Sequence, residues 1–148
     1  MRKVLIADDS EIMRTAIRKL LQGESNIRVV GEAATFPETV QMIGDFKPDV
    51  LLLDLHMPEK RNFTPALVKA QLSTVCTVAV SFSNDSDSKA LAESYGATTL
   101  LDKMSLYAEM LPAIKRCRSE VEEFRLKAPK RKARAAYNFQ TSHPYPHT

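Results

Sequence analysis

The sequence predicts an α/β fold, a doubly wound five-stranded parallel sheet, and three observations carry that expectation. Short runs rich in Val, Ile and Leu alternate five times with longer stretches of helical period, the pattern of strands joined by crossover helices. The clearest run, DVLLLD at 49–54, is apolar without interruption, as only a central strand covered on both faces requires. At 148 residues, 44% apolar and 26% charged, the chain has enough material for one domain with a real core and little more.

The first strand is KVLIAD (3–8), after which Ser10 caps a helix whose Ile12, Met13, Ala16, Ile17, Leu20 and Leu21 recur at three and four. Gly23 ends it. IRVVGEA (27–33) is a second strand, followed by a helix that opens near Pro37 and carries Val40, Met42, Ile43 and Phe46. After the third strand the turn HMPEKRN leads to a helix around Ala66, Leu67, Val68 and Leu72, then to the strand TVAVS (77–81). A polar helix over about 86–95 uses Ala90, Leu91 and Tyr95 as its apolar face and closes at Gly96. ATTLLDK (97–103) is the fifth strand, and a last helix lies between Ser105 and Leu126. Pro112 leaves its start open, because proline costs nothing in a first turn but removes a hydrogen bond from an interior one.

Charge divides the chain unevenly. All 18 acidic residues lie at or before Glu123, with 15 of the 21 Lys and Arg, so residues 1–123 are net −3 and form the predicted domain. Residues 124–148 carry Arg125, Lys127, Lys130, Arg131, Lys132 and Arg134 with no acid, and read as a basic, disordered tail. Only Tyr137 lies close to this cluster, which favours partner docking or solubility over contact with nucleic acid. No apolar run approaches the roughly 20 residues of a membrane span, and MRKVLIADD turns acidic before a signal core develops, so a cytoplasmic protein with no membrane contact is expected. Cys76 and Cys117, far apart and without a ligand-spaced partner, are expected to be reduced thiols.

Ligands of an open parallel sheet bind beyond the carboxyl ends of its strands. Asp8 and Asp9 end the first predicted strand, Asp54 the third, Ser81 the fourth and Lys103 the fifth. Clustered carboxylates repel unless a cation lies among them, and hard oxygen ligands on a shallow rim suit Mg²⁺ shared with a phosphate oxygen. An Asp beside such a metal can attack phosphorus while the metal, a Lys and a hydroxyl neutralise the phosphoryl oxygens. The pattern predicts an aspartyl phosphate at Asp54.

With these residues in place the chain resembles the receiver domain of two-component response regulators, the CheY-like family. The match lies in Asp8-Asp9 after VLIA, Asp54 after VLLL with Met57-Pro58 behind it, Ser81 after TVAV and Lys103 after TTLLD, with separations of 45, 27 and 22 from Asp9 through Asp54 and Ser81 to Lys103. The resemblance spans about residues 2–120. It implies a flavodoxin-like sheet in the order 2-1-3-4-5, with Mg²⁺ held by Asp9, Asp54, the backbone carbonyl of His56 and Asp8. It further implies that Lys103 pairs with the phosphoryl group, that Ser81 swings toward it, and that a sensor histidine kinase or phosphotransfer protein is the donor. Output is then expected to pass through the face of the fourth helix, fifth strand and fifth helix to a downstream protein or a self-dimer, as for a stand-alone receiver.

Departures from the family pattern cluster around the switch. Phe82 stands where a small residue usually follows the hydroxyl, Leu100 where an aromatic is common, Met104 in place of the usual Pro, and Asn62 where the loop often has Gly. Two alternatives to a phosphorylated switch remain. A phosphate-ester hydrolase usually places a second Asp two residues after the nucleophile, where this chain has His56, so no enzyme activity beyond self-catalysed phosphoryl acceptance and loss is expected. An atypical receiver that binds partners without phosphorylation is favoured by Phe82 and Leu100 and opposed by the full acidic set. Glycines occur only at 23, 31, 44 and 96, which leaves no Gly-rich nucleotide loop.

Overall fold

The computed structural model describes residues 1–58 and 62–128. Five strands, β1 (Arg2–Ala7), β2 (Ile27–Ala33), β3 (Val50–Asp54), β4 (Cys76–Ser81) and β5 (Thr99–Asp102), form one parallel sheet in the order β2-β1-β3-β4-β5. Between and after them run α1 (Glu11–Gln22), α2 (Phe36–Phe46), α3 (Pro65–Gln71), α4 (Ser86–Ser94), α5 (Leu106–Arg116) and α6 (Glu120–Lys127).

The apolar runs are continuous because both faces of the sheet are covered. Val4, Ile6, Val50, Leu52, Val78 and Val80 point into a core shared with α1 and α5, whereas Leu5, Ala7, Leu51, Leu53 and Ala79 point into the opposite core, built with α2, α3 and α4. Side chains alternate in direction along each strand, so one unbroken run supplies two cores at once. The pairing of β1 with β2 slips by one residue after Val4, which lies opposite Val29 while Leu5 lies opposite Gly31. A Cβ on Gly31 would stand 3.2 Å from the Met42 sulfur and from the Phe46 ring, so the bare backbone lets α2 approach β2 closely.

Helix starts follow the expected chemistry. Ser10, Thr35, Thr64 and Asp85 each accept from the backbone amide three residues on, and Pro37 and Pro65 sit in first turns. Gly96, at φ +81, supplies the left-handed turn that reverses the chain after α4.

Two expectations need correction beyond the strands. Of the apolar residues of α1, only Ile17 and Leu21 are buried, with Met13 half-buried; Ile12 is 85% exposed and Ala16 and Leu20 also face outward. The last helix is in fact two. α5 ends at Arg116 because Cys117 turns extended (φ −71, ψ 122), and Ser119 then caps α6 by accepting from the Glu122 amide at 3.0 Å. Pro112 lies inside α5 rather than in its first turn, on an exposed face where the carbonyl four residues earlier can bind water. α6 runs through Lys127, and of the basic tail expected at 124–148 the residues from 129 onward lie outside the described residues.

The cysteines are the third departure. Cys76 and Cys117 form a disulfide with Cα atoms 5.8 Å apart, not two separate thiols. Their 41-residue separation hides that the start of β4 and the end of α5 lie side by side on one face of the sheet.

Candidate functional site

Every strand ends at the same rim, and the predicted residues meet there. Ala7 ends β1 and delivers Asp8, whose carboxylate accepts from the Ser10 amide at 2.9 Å, while its backbone carbonyl accepts from Arg14 at 2.7 Å. Those contacts hold a nearly buried side chain in one orientation. Asp54 closes β3, the Leu55 amide bonds across to the Val80 carbonyl, and the His56 amide donates to the Asp54 carboxylate at 3.1 Å. Asp8, Asp9 and Asp54 each place a carboxylate oxygen within 4.8 Å of the others, with Asp8 and Asp54 buried and Asp9 exposed.

Lys103 reaches into this group from the end of β5. Its ammonium lies 2.9 Å from Asp8 and 3.6 Å from Asp54, with only 6% of the side chain exposed. Asp102 sets up that reach by accepting from the Met104 amide at 2.9 Å, so a single 3₁₀ turn (Lys103–Ser105) replaces further strand. Burial pushes the Asp54 carboxyl above the ordinary carboxylate value of 3.8, the neighbouring Asp8 charge adds to that, and the His56 amide and Lys103 ammonium oppose it. Paired hard carboxylates, one of them open to solvent, are the donor set a divalent, oxygen-seeking cation requires, and the residues present fit Mg²⁺.

Ser81 is fully buried at the end of β4, and its hydroxyl accepts from the Ser83 amide at 3.1 Å. Phe82 turns out toward solvent at 65% exposure, yet its ring centroid stands 4.9 Å from the Lys103 ammonium. A cation over an aromatic face is attracted by the ring quadrupole, so Phe82 contacts the rim through the Lys103 ammonium. Leu100 packs into the core on the α4 side, opposite Ala79 in the sheet register. His56 is exposed in the loop after β3.

One contributor escaped the sequence reading. Arg14 holds the Asp8 carbonyl and pairs with Glu32 at 3.5 Å, so it positions Asp8 from α1. Its signal was a basic residue flanked by the inward-facing Met13 and Ile17, four positions after the cap at Ser10.

A buried Lys and two buried carboxylates thus meet on the carboxyl rim of a 2-1-3-4-5 sheet, the edge at which open parallel sheets bind ligands. The response regulator receiver domain profile matches residues 4–115, and the chain belongs to that family. It is 30% identical over 106 residues to protein-glutamate methylesterase/protein-glutamine glutaminase 2 of Shewanella oneidensis, covering 70% of this chain and 30% of that one. It is 47% identical over 58 residues to the transcriptional regulatory protein BtsR of Salmonella typhi, covering 39% of this chain and 24% of the relative. The chain thus spans less than a third of the length of these curated relatives. Among solved structures, the response regulator domain of Thermotoga maritima CheB superposes with a TM-score of 0.68 at 24% identity, over 78% of this chain and 95% of that one. Among the described residues no helix is long and apolar enough to cross a membrane.

Proposed function

We propose that Asp54 is the phosphoryl acceptor of a cytoplasmic two-component switch, charged by a sensor histidine kinase or a phosphotransfer protein. The observation that carries this reading is the Lys103 ammonium held between Asp8 and Asp54, with all three side chains nearly buried. A carboxylate oxygen of Asp54 attacks the phosphorus of a phosphohistidine, the O–P bond forms as the N–P bond breaks, and the imidazole leaves with a proton. Asp8, Asp9, Asp54 and the His56 carbonyl would hold Mg²⁺, which supplies charge neutralisation at the phosphoryl oxygens.

The protein's own groups do the rest. Lys103 leaves Asp8 for a phosphoryl oxygen, and the Ser81 hydroxyl turns from the Ser83 amide toward the same group. That motion repacks the face of α4, β5 and α5 for a downstream protein or a second copy, so output from these 148 residues goes through a partner rather than through turnover of a substrate. Exposed apolar residues surround the rim, with Ile12 on one side and Phe82, Met104 and Tyr107 on the other, a surface suited to a docking donor. The basic tail adds charge for that docking.

Incubation with the cognate kinase and ATP is expected to add one phosphoryl group to the intact mass, and Asp54→Ala abolishes the gain completely. Labelling that persists in the variant would overturn the assignment. Phe82 and Leu100 favour a second reading, a receiver that binds partners without phosphorylation. Mg²⁺-dependent slowing of hydrogen exchange in the rim loops separates the two, since a site that holds no metal shows no change.

A further inference from the structure

We propose that Cys76 and Cys117 form a reversible thiol–disulfide site, exchanging with small-molecule disulfides of the glutathione type, that clasps α5 onto β4. The inference is independent of the phosphoryl reading, because the pair lies at the opposite end of the sheet from Asp54.

Both oxidation states fit the surroundings. The Cα atoms stand 5.8 Å apart, within the range a disulfide spans without backbone movement. The Thr98 hydroxyl lies 3.6 Å from the Cys76 sulfur and 3.4 Å from that of Cys117, and donates its own proton to the Thr77 carbonyl at 3.2 Å. Its lone pairs are therefore left facing the sulfurs. When the bridge is reduced, the two thiols find an acceptor already in place, so neither form buries an unpaired donor.

Cys76 and Cys117 are nearly buried, at 2% and 4% exposure, beneath Thr98, which touches both sulfurs and is exposed. Thr98 and Arg118 line two adjoining grooves of about 200 and 240 Å³, one reaching Cys76 and the other Cys117, and Arg116 lines the second. Glu120 lines the first groove and Glu123 the second, so the approach to the sulfurs is of mixed charge and admits a zwitterionic thiol reagent.

The exchange balances without another reactant. One cysteine thiolate attacks the small disulfide, a protein–reagent S–S bond forms, and the first reagent thiolate leaves and takes up the proton. The second cysteine then attacks the protein sulfur of the mixed disulfide and expels the second reagent thiol. Two protein thiols lose two electrons in all, and the reagent gains them as two thiols.

Oxidation joins the far ends of the two elements that follow or precede the rim groups, since β4 ends on Ser81 and α5 follows the Lys103 turn. It also holds the point where α6 departs, because Arg2 bonds the Cys117 carbonyl and pairs with Glu122 of α6. Intracellular disulfides that persist in reducing surroundings are rare, and those that form there are usually transient or sensing.

Equilibrating the full chain across mixtures of oxidised and reduced glutathione, then acid-quenching and alkylating, tests the proposal by intact mass. The expected result is a monomeric form lacking two hydrogens and refusing the alkylating label, converted back by dithiothreitol in the native state. Amide exchange across α5 is expected to be at least several-fold slower in that form. Two labelled cysteines throughout the range, bridges between chains, or a bridge that leaves α5 exchange unchanged would each overturn it. No variant is needed, so a folding failure cannot obscure the outcome.

Discussion

The two ends of the sheet are built on opposite principles. At the carboxyl end, the strands stop on charged residues and the buried groups Asp8, Asp54 and Lys103 stabilise one another only as a set. At the amino end, Arg2, Cys117 and Glu122 join β1, α5 and α6 through one ion pair, one carbonyl bond and a covalent bridge to β4. The first sets two buried carboxylates side by side with one ammonium between them; the second ties β1, β4, α5 and α6 to one another.

Lys103→Met attacks the first end hardest. It leaves Asp8 and Asp54 facing each other without a cation, and a loss of about 3–5 kcal/mol is expected in urea unfolding, partly restored by Mg²⁺. An unchanged midpoint would show that the rim is not held by this pair. Arg2→Ala strikes the other end, removing the Glu122 ion pair and the bond to the Cys117 carbonyl. A loss of about 1–2 kcal/mol is expected, with amide exchange faster in α6 and unchanged at Asp54. Equal effects at both ends would erase the contrast.

Asp54→Asn should stabilise the protein at neutral pH by about 1 kcal/mol, since it removes the repulsion within the rim. Because burial raises the Asp54 carboxyl in the folded state, the fold holds that proton to higher pH than the unfolded chain does. The stability linked to it is complete below the ordinary value of 3.8 and is lost as pH rises through the folded value. The advantage of the Asn variant therefore vanishes in acid, and thermal melts at pH 7 and pH ~3 check it. An advantage that persists in acid would point to packing instead. The smallest effect is expected from Phe82→Ala, which frees the Lys103 ammonium from the ring at a cost of under about 1 kcal/mol. Phosphorylation by acetyl phosphate should accelerate several-fold, and a slower rate would mean that the ring positions Lys103 for the reaction.

The rim was legible because Asp54 and Ser81 end strands and Asp8 and Lys103 directly follow them, and strand ends are marked by where apolar runs stop. Asp8, Asp54, Ser81 and Lys103 could be placed on one edge before any coordinates, since a parallel sheet brings all its carboxyl ends together. The break between α5 and α6 was written locally as the Ser119–Glu122 capping pattern, yet it lay inside a stretch whose period suggested one helix. The exposed Ile12 stripe on α1 was misread because apolar spacing marks a face without telling which residues on its edge are covered.

By itself the amino-acid sequence determined the order of the elements, the two-sided sheet and the composition of the rim, because these follow from local period and from where charge interrupts it. Tertiary structure alone decided that Cys76 meets Cys117, that Arg14 holds Asp8, and that the Phe82 ring faces the Lys103 ammonium rather than only covering the rim. Those contacts join residues whose neighbours in sequence carry no trace of one another. Only packing both cores against one sheet brings them within reach.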